Sequence, residues 1–582
     1  MTEHGTLGVS ATLTLVGLAK GATGAFLGVF VASGLAVACG QTHKVTPHAV
    51  GGTDSASGGA SSDTAGESAG GSEITPESCN DGPALAPARI WKLTDAQYVN
   101  AARQLFGVEV GPVITDSDPE APEYTNFSEL IRVNAVNAGQ YQKAAKDVAR
   151  QAIASHYDSF MPCGDTDECA EQFIGNRIAR AFGHRLDATE VKRYLALFQK
   201  GAERSPRDGV RLMIEATLQS PSFLYRSELG PPTSGGPHGQ VELTPTEIAT
   251  LLALTLTNAL PDDELWEKAD TGALADPAVL STQVSRLLDL PETEANLADS
   301  ASYWLGVQRL RGAAKSPEQF PEFTATLKLN AYESARLFVS DVLTHGSVND
   351  LVGSSKMYLN ESLAALYGIA GVSGRQLRPI NVTLPERSYG ILSQPAVLAA
   401  FAKPTRTDPI HRGLFVFNAL ICAHGKFDPP ANALAVAATF PADATQRELV
   451  MLRADNPQCA TCHTRFDPLG LLSERYDAIG RYSEADADGP IDQSAVISSF
   501  GSELDGPTDG LAELSAKLLE GRRLADCVTQ NLATVTLGRV DVAQDKSCAL
   551  QDVKDRVAGS GQLRDFYTAL ATSPAFIKRD AQ

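Results

Sequence analysis

Two thiols and an imidazole stand within five residues, Cys459-Ala460-Thr461-Cys462-His463. Cysteines separated by two residues can each add to one vinyl group of a haem, and the adjoining histidine then lies where its imidazole can ligate the iron. The same spacing serves redox dithiols and zinc, so context has to choose between them. Zinc calls for four ligands and usually a second cysteine pair, which the neighbouring sequence lacks. A thioredoxin-like dithiol belongs at a strand-to-helix turn, whereas Pro457 precedes this pair and Asp467-Pro468-Leu469-Gly470 follows it. The expectation is haem c held covalently by Cys459 and Cys462, with His463 as the proximal iron ligand.

The other side of that haem is less well specified, because no His or Met follows His463. A sixth ligand must come from upstream, come from another chain, or be missing. His411 and Met451 are the nearest weak candidates with His424, and Met213, His184 and His156 are more remote. A filled sixth position favours electron transfer, and an open one favours small-molecule binding or peroxide and oxygen chemistry. Haem propionates pair well with arginine. Arg406 and Arg412 in the stretch 403–413 are candidates for that role, as are Arg465 and Arg481. Asp486, Asp488 and Asp492 lack the spacing of a calcium loop, and Asp488-Gly489 reads as a turn.

Haem of this kind is attached outside the cytoplasm, and the amino terminus agrees. From Leu7 to Ala38 the only charged residue is Lys20, and the run ends in Leu35-Ala36-Val37-Ala38-Cys39-Gly40. Small residues before a cysteine suggest a signal peptide over 1–38 with a lipobox, leaving Cys39 as a lipidated first residue. The body would then be tethered to the cell envelope on its periplasmic or outer-surface side, touching membrane through the N-terminal lipid only. Residues 39–85 form a linker in which Gly51 to Ser72 has no large apolar side chain, a composition that stays disordered. The hydrolase-like Gly66-Glu67-Ser68-Ala69-Gly70 sits there without the strand and helix its motif needs, and is read as chance. A balance of 49 basic to 69 acidic residues, net charge -20, argues against nucleic acid as a partner. A redox partner protein is expected instead.

Nine cysteines are present. Beyond Cys39 and the haem pair, six remain, and an even number in an exported protein can all be bridged. Proximity in sequence favours Cys163 with Cys169 and Cys527 with Cys548, which leaves Cys79 with Cys422.

Helices must position these residues. Thr94-Asp95-Ala96-Gln97 and Thr244-Pro245-Thr246-Glu247 are capping boxes before apolar residues at helical spacing. Further amphipathic stretches fall at 170–182, 188–199, 210–219, 279–288, 332–343, 413–422, 511–519 and 564–571. Strand signals are few, and Trp91, Trp266 and Trp304 read as packing residues. The fold class is mostly α, several small helical units in tandem: 86–162, 163–230, a central domain over 240–385, a cytochrome-c-like haem-attachment domain over 386–495, and a C-terminal helical domain over 500–582.

Several stretches resemble one group of proteins: Arg89 to Gly107, Phe182 to Leu229 around Leu218-Gln219-Ser220-Pro221-Ser222-Phe223, Leu243 to Leu254, Tyr389 to Gln394, Pro404 to Gly413, Cys459 to Tyr482, and Leu537-Gly538-Arg539. The chain from residue 88 onward is similar to exported, multi-domain, cytochrome-like proteins of planctomycetes and myxobacteria. Those proteins are built from the tandem domain-of-unknown-function families fifteen-ninety-two, fifteen-eighty-eight and fifteen-eighty-five. The resemblance implies haem attachment at Cys459, Cys462 and His463 and assigns no reaction. It also implies a histidine six residues before the first haem cysteine, where this chain has Arg453. Three readings follow: an envelope redox or electron-transfer haem protein; a structural lipoprotein with Cys459 and Cys462 in a disulfide; or a haem peroxidase or oxygenase with an open sixth site.

Overall fold

The computed structural model describes residues 85–113, 133–231, 239–423, 430–487, 489–539 and 550–580. The expected signal peptide, Cys39, Cys79, the linker, His424 and Cys548 lie outside these residues.

Local chemistry sets most helix starts. Thr94 accepts from the Gln97 amide while the Gln97 side chain returns to the Thr94 amide, which opens the helix Asp95–Phe106; Gly107, in the left-handed region, ends it. Thr244 and Glu247 close the same box at the head of Pro245–Leu256. The expected amphipathic stretches are helical, and the one at 413–422 is the helix Pro409–Phe415 running into a π-turn, Val416–Leu420. One helix carries no strong signal in the sequence. Ala135–Phe160 buries Ala145, Ala149 and Ala152 beside Tyr141 and Val148, so its inner face is helical in spacing but built largely from alanine.

The described chain is mostly helical, with five two-stranded antiparallel ladders. Two hydrophobic cores organise it. One gathers residues from Tyr98 to Leu224 with Leu260, and the other runs from Leu243 to Phe576 and takes in Leu85, Trp91 and Leu93. Strand Arg89–Lys92 pairs with Tyr225–Glu228, and the last strand, Lys578–Asp580, pairs with Gln240–Glu242. Glu228 accepts from Arg89 through Oε1 and from Arg579 through Oε2, so the strand that closes the first core is tied to the strand that closes the second. Trp304 is buried and donates to the Ala419 carbonyl, in keeping with a packing role. Asp486 pairs with Gly489, and Asp488, of the turn expected there, lies outside the described residues.

The cysteine pairing needs one correction. Cys163 and Cys169 are bridged, as their spacing suggests. Cys527 is bridged to Cys422 across 105 residues, with Cα atoms 5.3 Å apart, and not to Cys548. The cause is tertiary: the chain turns at Cys422, whose φ is 46°, directly after the π-turn, and helix Arg523–Leu537 lies against that turn. Asn531 donates to the Cys527 carbonyl from one helical turn further on. Cys422 is therefore not the partner of Cys79.

Candidate haem-attachment site

The Cys-x-x-Cys-His segment forms the first turns of the helix Pro457–Leu471. Asn456 caps it by accepting from the Gln458 amide, and Pro457 occupies the first turn, where its missing N–H costs nothing. The helix continues through Pro468 to Leu471. Pro468 gives no hydrogen bond to the Thr464 carbonyl, and tertiary packing carries the helix across that gap. Spacings of three and four then place Cys459, Cys462, His463, Phe466, Asp467 and Gly470 along one side of the helix.

Two glycines let this helix approach its neighbour. A Cβ on Gly413 would meet the Phe466 carbonyl oxygen at 1.9 Å, and one on Gly470 would meet the Pro409 carbonyl at the same distance. The crossing sets Gly413 against Phe466 and Pro409 against Gly470, so helices Pro409–Phe415 and Pro457–Leu471 run antiparallel in backbone contact. The π-turn continues the first helix past this crossing, and Phe417 packs edge-on against Phe466. Arg412 fixes the far end. Its guanidinium is buried and donates to the carbonyls of Ser473, Tyr476, Asp477 and Leu398, holding the chain that leaves the helix. Burial lowers its pKa below the ordinary arginine value.

The expected site residues divide clearly. Cys459, Cys462 and His463 are partly exposed, and both cysteines stand outside the disulfides. His463 presents Nδ1 to Asp467 Oδ1 at 2.9 Å. The Arg412 guanidinium is enclosed by four carbonyls and so serves the fold. Arg406 is exposed on the loop before the crossing helix. Arg465 lies over the rings of Phe417 and Phe500, and Arg481 pairs with Asp477 and Glu322.

By the antiparallel register, His411 stands level with the stretch between Phe466 and Gly470, towards the opposite end of the helix from the thiols. Its Nδ1 lies 2.7 Å from Asp408 Oδ2. Burial raises the Asp408 carboxyl, but the His411 hydrogen bond and charge together with Lys403 outweigh it and hold the group below its ordinary value. Met451 sits on Gln446–Asp455, turned about half a revolution from the buried Leu449 and Arg453, and is 58% exposed.

Two residues of the site escape sequence reasoning. Asp467 is wholly buried, and its Oδ2 accepts from Arg453 Nε at 2.6 Å while its Oδ1 faces His463. Arg453, in the position where the resemblance implies histidine, thus lies behind the imidazole. An aspartate four residues after a candidate ligand was the available signal, since that spacing puts a carboxylate one turn along the same face.

The donor set fits a c-type haem. Two partly exposed thiols and an imidazole share one helix face, and the hydrogen bond of His463 to Asp467 is made through Nδ1, so a ligand role would fall to Nε2. Among the described residues no cluster of three or more His, Cys, Asp or Glu forms a metal site, and no helix is long and apolar enough to cross a membrane.

Four family models match in tandem, each described as a protein of unknown function: DUF1587 over residues 92–154, DUF1595 over 169–228, DUF1592 over 243–369 and DUF1588 over 388–486. DUF1592 and DUF1588 are two of the three families to which the resemblance points. The DUF1588 match contains the whole crossing and the Cys-x-x-Cys-His helix. No curated protein and no solved structure matches the chain.

Proposed function

On the premise that the chain carries these four families in tandem, we propose that it is an exported c-type haem protein with a redox or electron-transfer role at the cell envelope. It would be lipid-anchored through Cys39 and act with a partner redox protein. The observation that carries this reading is the shared helix face of Cys459, Cys462 and His463, with His463 Nδ1 held by Asp467. Each thiol would add across one vinyl group, forming a carbon–sulfur bond while the thiol proton passes to the vinyl carbon, with nothing oxidised and nothing released. The bound haem would supply a one-electron couple.

The chain's own residues supply the rest. Asp467 orients the imidazole, the glycine crossing anchors the helix, and Arg412 secures its exit. Expression of the full chain with cytochrome maturation factors tests the reading: a haem-stained band that survives denaturation is expected. A band absent from the wild type, or kept when Cys459 and Cys462 are both serine, refutes it. The second reading is an open sixth position suited to peroxide or oxygen chemistry. Carbon monoxide added to the reduced protein would then shift its absorption bands, and unchanged bands exclude this second reading.

A further inference from the structure

Behind His463 lies a buried ionic relay of three groups on two helices. The Asp467 side chain is 0% exposed and that of Arg453 is 10% exposed. A carboxylate in such surroundings is costly unless charge and hydrogen bonds hold it. Arg453 supplies the charge to Oδ2 and leaves Oδ1 directed at the imidazole. Had the pair served only to join two helices, it would not need its second oxygen aimed at a candidate ligand.

We propose that Asp467, fixed by Arg453, is a positioning residue that keeps the His463 proton on Nδ1, turns Nε2 outward as the donor, and lowers the reduction potential of the iron that Nε2 would bind. The proposal rests on the haem reading above. A neutral imidazole has one N–H, and an ionised carboxylate only accepts, so a bond between them assigns the proton to Nδ1 and the lone pair to Nε2. A carboxylate drawing on that N–H also makes Nε2 a stronger donor, which favours the more highly charged iron. Arg453 holds Oδ2 and stops the carboxylate from turning away from the ring. The same two contacts therefore set both the direction and the strength of the ligand.

The test is Asp467→Asn in the full-length, haem-loaded protein, since Asn keeps the size and one acceptor oxygen but removes the charge. Covalent haem should be retained, and at a fixed ambient potential the ferrous-to-ferric ratio should rise at least tenfold, which is 59 mV for a one-electron couple. A residue that only joined the two helices would change stability and leave the potential unmoved; that result, with wild-type haem in place, overturns this proposal alone. Absence of covalent haem from the wild type overturns the haem reading and the potential claim together. Nitrogen NMR of the His463 ring in the haem-free wild type needs no variant to fold. A neutral ring protonated on Nδ1 is expected, and one protonated on Nε2 overturns the proposal.

Discussion

Glu228 joins the two cores, and its replacement by glutamine tests that join quantitatively. Its side chain is 1% exposed, that of Arg579 is 0% exposed, and the closest contact between them is 2.6 Å. Arg89 reaches the other oxygen at 2.9 Å. Removing one partner of such a group leaves an uncompensated buried cation, a loss of about 3–5 kcal/mol. The ionisation of Glu228 gives a similar figure. Burial alone would raise this carboxyl, but the charges and hydrogen bonds of Arg89 and Arg579 prevail and lower it to about 2 from an ordinary 4.5. At about 1.4 kcal/mol per pKa unit, that gap corresponds to roughly 3 kcal/mol. Because the folded pKa is the depressed one, the stabilisation is fully present above 4.5 and is lost as pH falls from 4.5 through about 2. Denaturant unfolding followed by circular dichroism across that range should show wild type losing about 3 kcal/mol that Glu228→Gln has already lost at neutral pH. A variant within about 1 kcal/mol of wild type at neutral pH, the scale of an ordinary surface pair, would refute the clamp.

Other substitutions probe the scaffold of the site. Gly413→Ala places a Cβ 1.9 Å from the Phe466 carbonyl, so it should cost about 1–3 kcal/mol and lower haem retention. Gly139→Ala, in a helix interior with nothing within 4 Å of the new Cβ, should instead stabilise by about 0.5–1 kcal/mol; thermal melts of the two variants check the contrast. Peptide mapping without reductant should recover Cys422 joined to Cys527, and Cys422→Ser should lower stability by about 2–5 kcal/mol, since the bridge closes a span of 105 residues. Recovery of Cys527 joined to Cys548 would overturn that assignment.

Much of the helical order was legible because caps and apolar spacing are local. Thr94 with Gln97 and Thr244 with Glu247 are complete signals within four residues. Ala135–Phe160 was not legible, because alanines bury little apolar surface each and mark a face weakly. Pro468 would by local preference end a helix, and the glycine crossing overrides it. Within the site, the two thiols and His463 could be named from five consecutive residues. Arg412 could not be placed, because its partners lie at Leu398 and beyond Gly470 and only the fold brings them together. Asp467 and Arg453 were missed for a related reason, since their pairing depends on how helix Gln446–Asp455 packs on helix Pro457–Leu471.

Intact mass, followed by peptide mapping of the mature protein after co-expression with cytochrome maturation factors, tests the central claim most directly. The account predicts one haem's added mass, carried by the peptide that holds Cys459 and Cys462 and resistant to denaturant. The same peptide recovered without haem, as two thiols or as a Cys459 to Cys462 disulfide, would contradict it.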